Sequence, residues 1–274
     1  MKSIIRLLKR RRSGGFTLVE MIVSVAVLAV LMVGMILFIT PIIRSFNDTN
    51  RNMVAENIST CLQTYISSSI RNASKVVIFG NTNDADLKAN GLTTVNALRT
   101  YCSEKTDDGE YAYILKCISL RFDTTDGRYY MYTEDIPITN TTEPLGTTHT
   151  PVFSKCLYNE LYTTFDFEKP LDMDKASETP QPVRKDTMQI TVKTYSDSSF
   201  GNLVFVGTGL TELRQIKKDI AKNQTSSTCE FSIYDGTAAT ASDSVKFNSS
   251  SDVGNRNIYI YYAVRNLSPK TTTP

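Results

Sequence analysis

One stretch limits what this chain can fold into more than any other. Residues 16–43 carry a single charge, Glu20, and residues 21–39 carry none, with Ser24 their one clearly polar side chain. Nineteen residues at the helical rise span roughly 28 Å, the thickness of a bilayer's hydrocarbon. A helix apolar all the way round for that length has no use in a water-soluble surface. The expectation is a membrane-spanning helix.

Its direction follows from charge. Six basic residues precede the span (Lys2, Arg6, Lys9, Arg10, Arg11 and Arg12), and no acid accompanies them. The segment just after Ile43 holds Arg44 and Arg51 balanced by Asp48 and Glu56. This bias puts the amino terminus in the cytoplasm and the long remainder outside, as a single-pass protein. A secretory signal peptide shares the basic head, but its apolar run is usually about 7–15 residues and ends in a small-residue cleavage site. The longer run here, leaving through Thr40-Pro41-Ile42-Ile43-Arg44, fits an anchor better.

Two features are odd for a plain anchor: a Gly-Gly step between charge and apolarity, and an acid inside the span. The sequence Ser13-Gly14-Gly15-Phe16-Thr17-Leu18-Val19-Glu20 resembles the leader and cleavage site of type IV prepilins and pseudopilins. The resemblance covers about the first 45 residues and combines four features in register. These are a basic leader, Gly15 before the cut, Phe16 after it, and Glu20 at the fifth following position. It implies cleavage by a prepilin peptidase/methyltransferase between Gly15 and Phe16, N-methylation of Phe16, and an assembly role for Glu20. It further implies partners: other pilin subunits through the helix, membrane lipid before assembly, and the pilus assembly machinery. The final location would be the cytoplasmic membrane, then a surface filament or pseudopilus.

The chemistry is consistent with that implication. Gly15 has no side chain, so an extended backbone there can approach a peptidase closely. Cutting removes six cations and leaves an α-ammonium with a reference pKa of about 7.7–8.0. Glu20 lies in the first turns of the helix, where the macrodipole favours a carboxylate. A lipid-facing acid costs up to roughly 2.5–3.5 kcal/mol at mid-span, so it tends to acquire a partner. The freed ammonium of a neighbouring subunit is a suitable one. The plainer reading is that Glu20 simply reaches the headgroups.

Beyond Pro41, which should kink or loosen the helix, the pattern turns amphipathic. Phe46, Met53, Val54, Ile58, Cys61, Leu62, Tyr65, Ile66, Ser69 and Ile70 recur at three- and four-residue steps. One near-continuous helix is expected over about residues 16–71, about 80–85 Å long. The expected division is leader 1–15, transmembrane and assembly helix 16–43, amphipathic continuation 44–72, and an extracytoplasmic β-rich head 73–274. Strands are expected at 74–79, 111–122, 128–133, 188–195, 203–206, 229–234 and 258–265. Asp126-Gly127 signals a hairpin, and Asp235-Gly236 a second turn. A surface helix is expected at 210–222, with another within 84–103. The Thr/Ser/Asp-rich segments 139–150 and 236–252 read as mobile loops, and 268–274 as a frayed tail. The fold class is α+β: a long amino-terminal helix packed on an antiparallel β-sheet head, pilin-like. The head exceeds a minimal pilin's, which suggests inserted loops or a minor subunit.

Other chemistry finds little support. From Phe16 onward 24 basic and 28 acidic residues give −4, so no nucleic-acid partner is expected. His149 is the single histidine, next to Pro151 in a Thr-rich loop, and reads as a solvated bystander. Triads and His-based zinc sites depend on it alone. The cysteines at 61, 102, 117, 156 and 229 lack metal-site spacing. Cys61 reads as a core residue, and a Cys102–Cys117 disulfide stays open. The acidic groups Asp84/Asp86, Asp107/Asp108/Glu110 and Asp123/Asp126 do not fit a calcium loop and read as solvated turns. Gly207-Thr208-Gly209 lacks the residues of a nucleotide loop and reads as a tight turn. No catalytic residue, metal or cofactor is expected, and the protein is not expected to be an enzyme. The competing reading is a single-pass anchored binding or enzymatic domain that keeps its leader.

Overall fold

The computed structural model describes residues 17–107, 109–221, 230–236, 241–246 and 256–266. Helix α1, Leu18–Ile70, is continuous over 53 residues and includes Pro41. Proline withholds the amide that would bond Leu37's carbonyl. One residue earlier the Thr40 hydroxyl donates to the Ile36 carbonyl at 2.8 Å. By internal contact the chain divides between Arg51 and Asn52, inside this helix. In the first unit the helix is apolar and long enough to cross a membrane, and none of its most apolar stretch is buried.

In the second unit the helix becomes one-sided. Ala55, Ile58, Ser59, Leu62, Ile66 and Ile70 are buried, at the three- and four-residue steps that keep side chains on one stripe. Cys61, expected in that stripe, is exposed, as are Phe46 and Met53. Val54 and Tyr65 lie at its margin, packed against the core. The stripe therefore begins later and is narrower than the apolar spacing alone suggested.

Two sheets receive it. Strands β1 (Lys75–Thr82), β2 (Tyr113–Asp123), β3 (Arg128–Asp135), β4 (Thr150–Pro151), β8 (Glu230–Asp235), β9 (Ala241–Ser242) and β11 (Asn257–Arg265) form the larger one. Its order is β4-β3-β2-β11-β1-β8-β9. The smaller comprises β5 (Tyr162–Glu168), β6 (Thr187–Tyr195), β7 (Leu203–Glu212) and β10 (Ser244–Val245), ordered β10-β5-β6-β7. The architecture is α+β and rich in antiparallel pairs. The head thus holds two sheets where one was expected, and β1 pairs with β8 in parallel. The turn at Asp126-Gly127 joins β2 to β3 as its sequence indicates, with Gly127 at φ +65° and its amide bonded to the Asp123 carbonyl.

The central strands are apolar on both faces because both are covered. Val76 and Ile78 of β1, with Ile258, Ile260 and Tyr262 of β11, face a core shared with α1 and the smaller sheet. The alternate residues Val77, Phe79, Tyr259, Tyr261 and Ala263 face a second core. That second core is closed by helix α2 (Leu92–Cys102) and by Ile136, Ile138 and Leu145 of the following loop.

This loop overturns the expectation of mobility over 139–150. The guanidinium of Arg99, on α2, donates to the carbonyls of Pro137 (3.1 Å) and Glu143 and to Asn96 Oδ1. Asn96 donates to the Thr141 carbonyl at 3.0 Å, and the Tyr261 hydroxyl to the Pro144 carbonyl at 2.9 Å. The loop is a strap held by side chains from α2 and β11.

Two further segments differ from expectation. Gly207-Thr208-Gly209 lies inside β7, not in a turn, and the strand runs on to Glu212 before helix α3 (Arg214–Ala221) begins. A β-carbon built at Gly207 would overlap Ser59 Oγ of α1, so glycine here lets the helix lie close to the strand. Most of 236–252, the tail 268–274 and Cys229 fall outside the described residues. Cys61, Cys102, Cys117 and Cys156 are free thiols. Burial pushes the Cys102 thiol up to about 12, against a smaller opposing pull from Lys75.

Candidate assembly site

The described part of the site begins at Thr17 and includes Glu20; Gly15 and Phe16 lie outside the described residues. Glu20 is the acid of the first turn of α1. Thr17 Oγ1 accepts the Glu20 amide at 3.3 Å, and Glu20 Oε2 accepts the Thr17 amide at 3.3 Å. The Thr17 hydroxyl also donates to Glu20 Oε2 at 3.4 Å. This reciprocal pairing is a capping box: residue and carboxylate satisfy two of the amides a helix start leaves unbonded. The signal Thr-x-x-Glu stands in the sequence, and reading Glu20 for its charge alone passed over Thr17. The box turns the carboxylate back toward the chain's start. Phe16, whose amine cleavage would free, immediately precedes Thr17 in the sequence.

Among the described residues, the rest of the first unit supplies an apolar surface and no further polar partner for Glu20. From Leu18 through Ile39 the large apolar side chains are exposed, among them Leu18, Met21, Val25, Leu28 and Phe38. Such a surface is at home in lipid or against other apolar helices.

The head domain holds the other concentrated polar chemistry. The Glu134 side chain is 0% exposed. Its Oε1 accepts from Ser119 Oγ (3.2 Å) and Arg121 Nη2 (3.3 Å), and its Oε2 accepts the Gly146 amide at 2.9 Å. His149 Nδ1 lies 3.2 Å from Oε1, with that side chain 34% exposed. His149 is therefore not the solvated bystander expected: it sits beside a buried carboxylate at the end of the strap. Arg121 also reaches Asp84 Oδ2 at 3.3 Å, and the Tyr259 hydroxyl bonds Asp84. Burial drives the Tyr259 phenol far up, with the Asp84 carboxylate adding to it. A buried carboxylate requires such partners, and every polar group here has one. The arrangement fastens the strap to β2 and β3.

Among the described residues no group of three or more His, Cys, Asp or Glu converges. Asp123 and Asp126, weighed for calcium, are both occupied by Lys155 Nζ. Hydrogen bonding to that ammonium holds both carboxyls below their usual range.

A long apolar amino-terminal helix leading into antiparallel-rich sheets gives an α+β, pilin-like architecture, and a family comparison bears on the amino terminus. Residues 10–36 match the family model described as the prokaryotic N-terminal methylation motif. The chain carries a type IV pilin-like prepilin segment. Searches of curated proteins and of solved structures each returned no match.

Proposed function

We propose that this chain is made as a prepilin and serves as a structural subunit, of the minor class, in a type IV pilus or pseudopilus. A prepilin peptidase cuts between Gly15 and Phe16 on the cytoplasmic face and methylates the Phe16 amine. The subunit waits in the cytoplasmic membrane with its head outside. It then leaves lipid for a bundle of like helices, since apolar contact is nearly preserved in that transfer. The observation that carries this reading is the coincidence of a methylation motif over residues 10–36 with a capped carboxylate at Glu20.

Glu20 supplies the register. In the lone subunit its carboxylate is held by Thr17. In the assembly it meets the ammonium of Phe16 on an adjacent copy, a charged partner stronger than a neutral amide in a medium of low dielectric. Only a processed neighbour provides that cation, so cleavage and polymerisation are coupled. Replacing Glu20 with alanine tests this: Glu20→Ala should insert and be cleaved normally yet fail to enter filaments. Incorporation of Glu20→Ala at the native level would contradict the register role.

A further inference from the structure

Among the described residues nearly every base of the head meets an acid, an aromatic ring or a carbonyl. Arg71, Lys185, Arg214, Lys218 and Arg265 are exposed and meet none. The first four surround one junction. The Arg214 amide donates to the Arg71 carbonyl at 2.9 Å, and the Leu213 amide to the Asp186 carbonyl at 2.8 Å. Those two bonds draw together the end of α1, the start of α3 and the segment holding Lys185. Lys218 follows Arg214 by one turn of α3. The neighbouring acids Asp186 and Glu212 are taken by Arg184 and Lys217. Residues 213–222 carry four bases against one acid, Asp219. A chain whose mature net charge is −4 thus gathers unpaired cations in one place.

A surface of opposite sign stands at the same level. Between α2 and β2, residues 104–112 fold back on themselves: the Thr106 amide donates to the Glu110 carbonyl at 2.8 Å, and the Ala112 amide to the Glu104 carbonyl at 2.8 Å. Glu104, Asp107 and Glu110 on this hairpin are exposed and, among the described residues, have no basic partner. Lys105 between them lies over the Tyr111 ring, 5.8 Å from its centroid. The Asn266 amide donates to the Ala112 carbonyl, and the Ser74 amide to the Ala263 carbonyl. The stem of the hairpin and the end of α1 therefore share one end of the head, about 27 Å along α1 from Asn52. They lie on opposite faces of it. Leu213 and Ile216, beside the basic junction, belong to the core that α1 lines. Leu98 and Cys102, ahead of the hairpin, belong to the core that α2 closes.

We propose that the basic junction docks the acidic hairpin of a second copy of this chain. Copies anchored in one membrane by the same helix share one orientation, so their junctions and hairpins stand level. Side by side, the face that carries α3 on one copy meets the face that carries α2 on the next. The contact is heterologous: each copy turns a different surface to each of its two neighbours, and contacts continue from copy to copy. Complementary charge draws together chains that a shared net charge of −4 would hold apart. Exposed ion pairs are individually weak and screened by salt. Confinement to one membrane raises the local concentration at which they act. The contact requires only a shared membrane and stands whether or not the copies enter a filament.

Carbodiimide coupling of carboxylates to amines, applied to the full chain in native membranes, tests the contact. Wild type should give cross-linked dimers and longer multiples. These should disappear in about 1 M salt, where the Debye length is about 3 Å. The variant Arg214→Glu/Lys218→Glu should lose them, and so should Asp107→Lys/Glu110→Lys. Placing both variants in one membrane should restore them, because each then offers the charge that the other lacks. Misfolding of either variant would not produce that recovery. Undiminished cross-linking of either variant alone would overturn the inference. So would no recovery in the mixture, or wild-type products that contain only a different protein.

Discussion

Arg99 shows how one side chain fixes a segment whose composition reads as loose. It is buried, and its fork holds the carbonyls of Pro137 and Glu143 in place. Arg99→Ala leaves those acceptors without a donor, at about 1–3 kcal/mol for each buried group so stranded. The variant should lose about 2–4 kcal/mol of stability in chemical denaturation, with the strap becoming protease-sensitive first. Arg99→Lys should not restore it, since an ammonium lacks the planar fork. None of this was legible in the sequence: Arg99 and its partners are 38 and 44 residues apart, and a loop's composition does not record what ties it down. His149 escapes the sequence for the same reason, because it lies in the strap and the carboxylate beside it comes from β3.

Asp197 offers a pH test at the same scale. Its carboxylate accepts from Ser199 Oγ and from the amides of Gly201 and Asn202. The Ser199 hydroxyl first, and the amides with it, lower its carboxyl from 3.8 to about 2. A group whose folded pKa is depressed stabilises the fold above its unfolded value and loses that contribution as pH falls through the folded one. Wild type and Asp197→Ala should therefore differ in thermal stability above pH 4. The difference should shrink between pH 4 and about 2. A difference unchanged at pH 2 would contradict this account.

Among the elements, β7 and α1 are joined by an absence. Gly207 has no β-carbon to strike Ser59, whose hydroxyl is buried without a partner. Gly207→Ala should destabilise the head by about 1–3 kcal/mol through overpacking. Ser59→Ala removes the obstructing oxygen, and an unbonded polar atom with it, so alone it should be neutral or mildly stabilising. The double variant should recover most of the loss, a coupling that chemical denaturation of the four proteins measures. Additive effects would mean that the two elements are not in contact as described.

Strand prediction succeeded where a strand is apolar and bounded by turns, as in β1, β2 and β11. It missed β5, whose Asp166 and Glu168 resemble a loop's charges. Lys193 lies 2.6 Å from Asp166, and Lys246 lies 2.8 Å from Glu168. Pairing across strands and from the adjoining segment neutralises charges that the linear sequence leaves bare. The glycines of β7 misled in the opposite direction, suggesting a turn where a helix needed room.

For the whole molecule, the amino-terminal segment was legible because its constraints are local: a basic leader, a glycine, and an acid at fixed spacing in one apolar run. The head was legible only in class. Its two cores depend on which faces of β1, β2 and β11 are covered, and that is decided by α1, α2 and the strap together.

The most direct test is the intact mass of the protein purified from its native membrane, read together with amino-terminal sequencing. The account predicts a chain that begins at N-methylated Phe16, lacking residues 1–15. A chain that still begins at Met1 would contradict it and leave a tethered extracytoplasmic domain in its place.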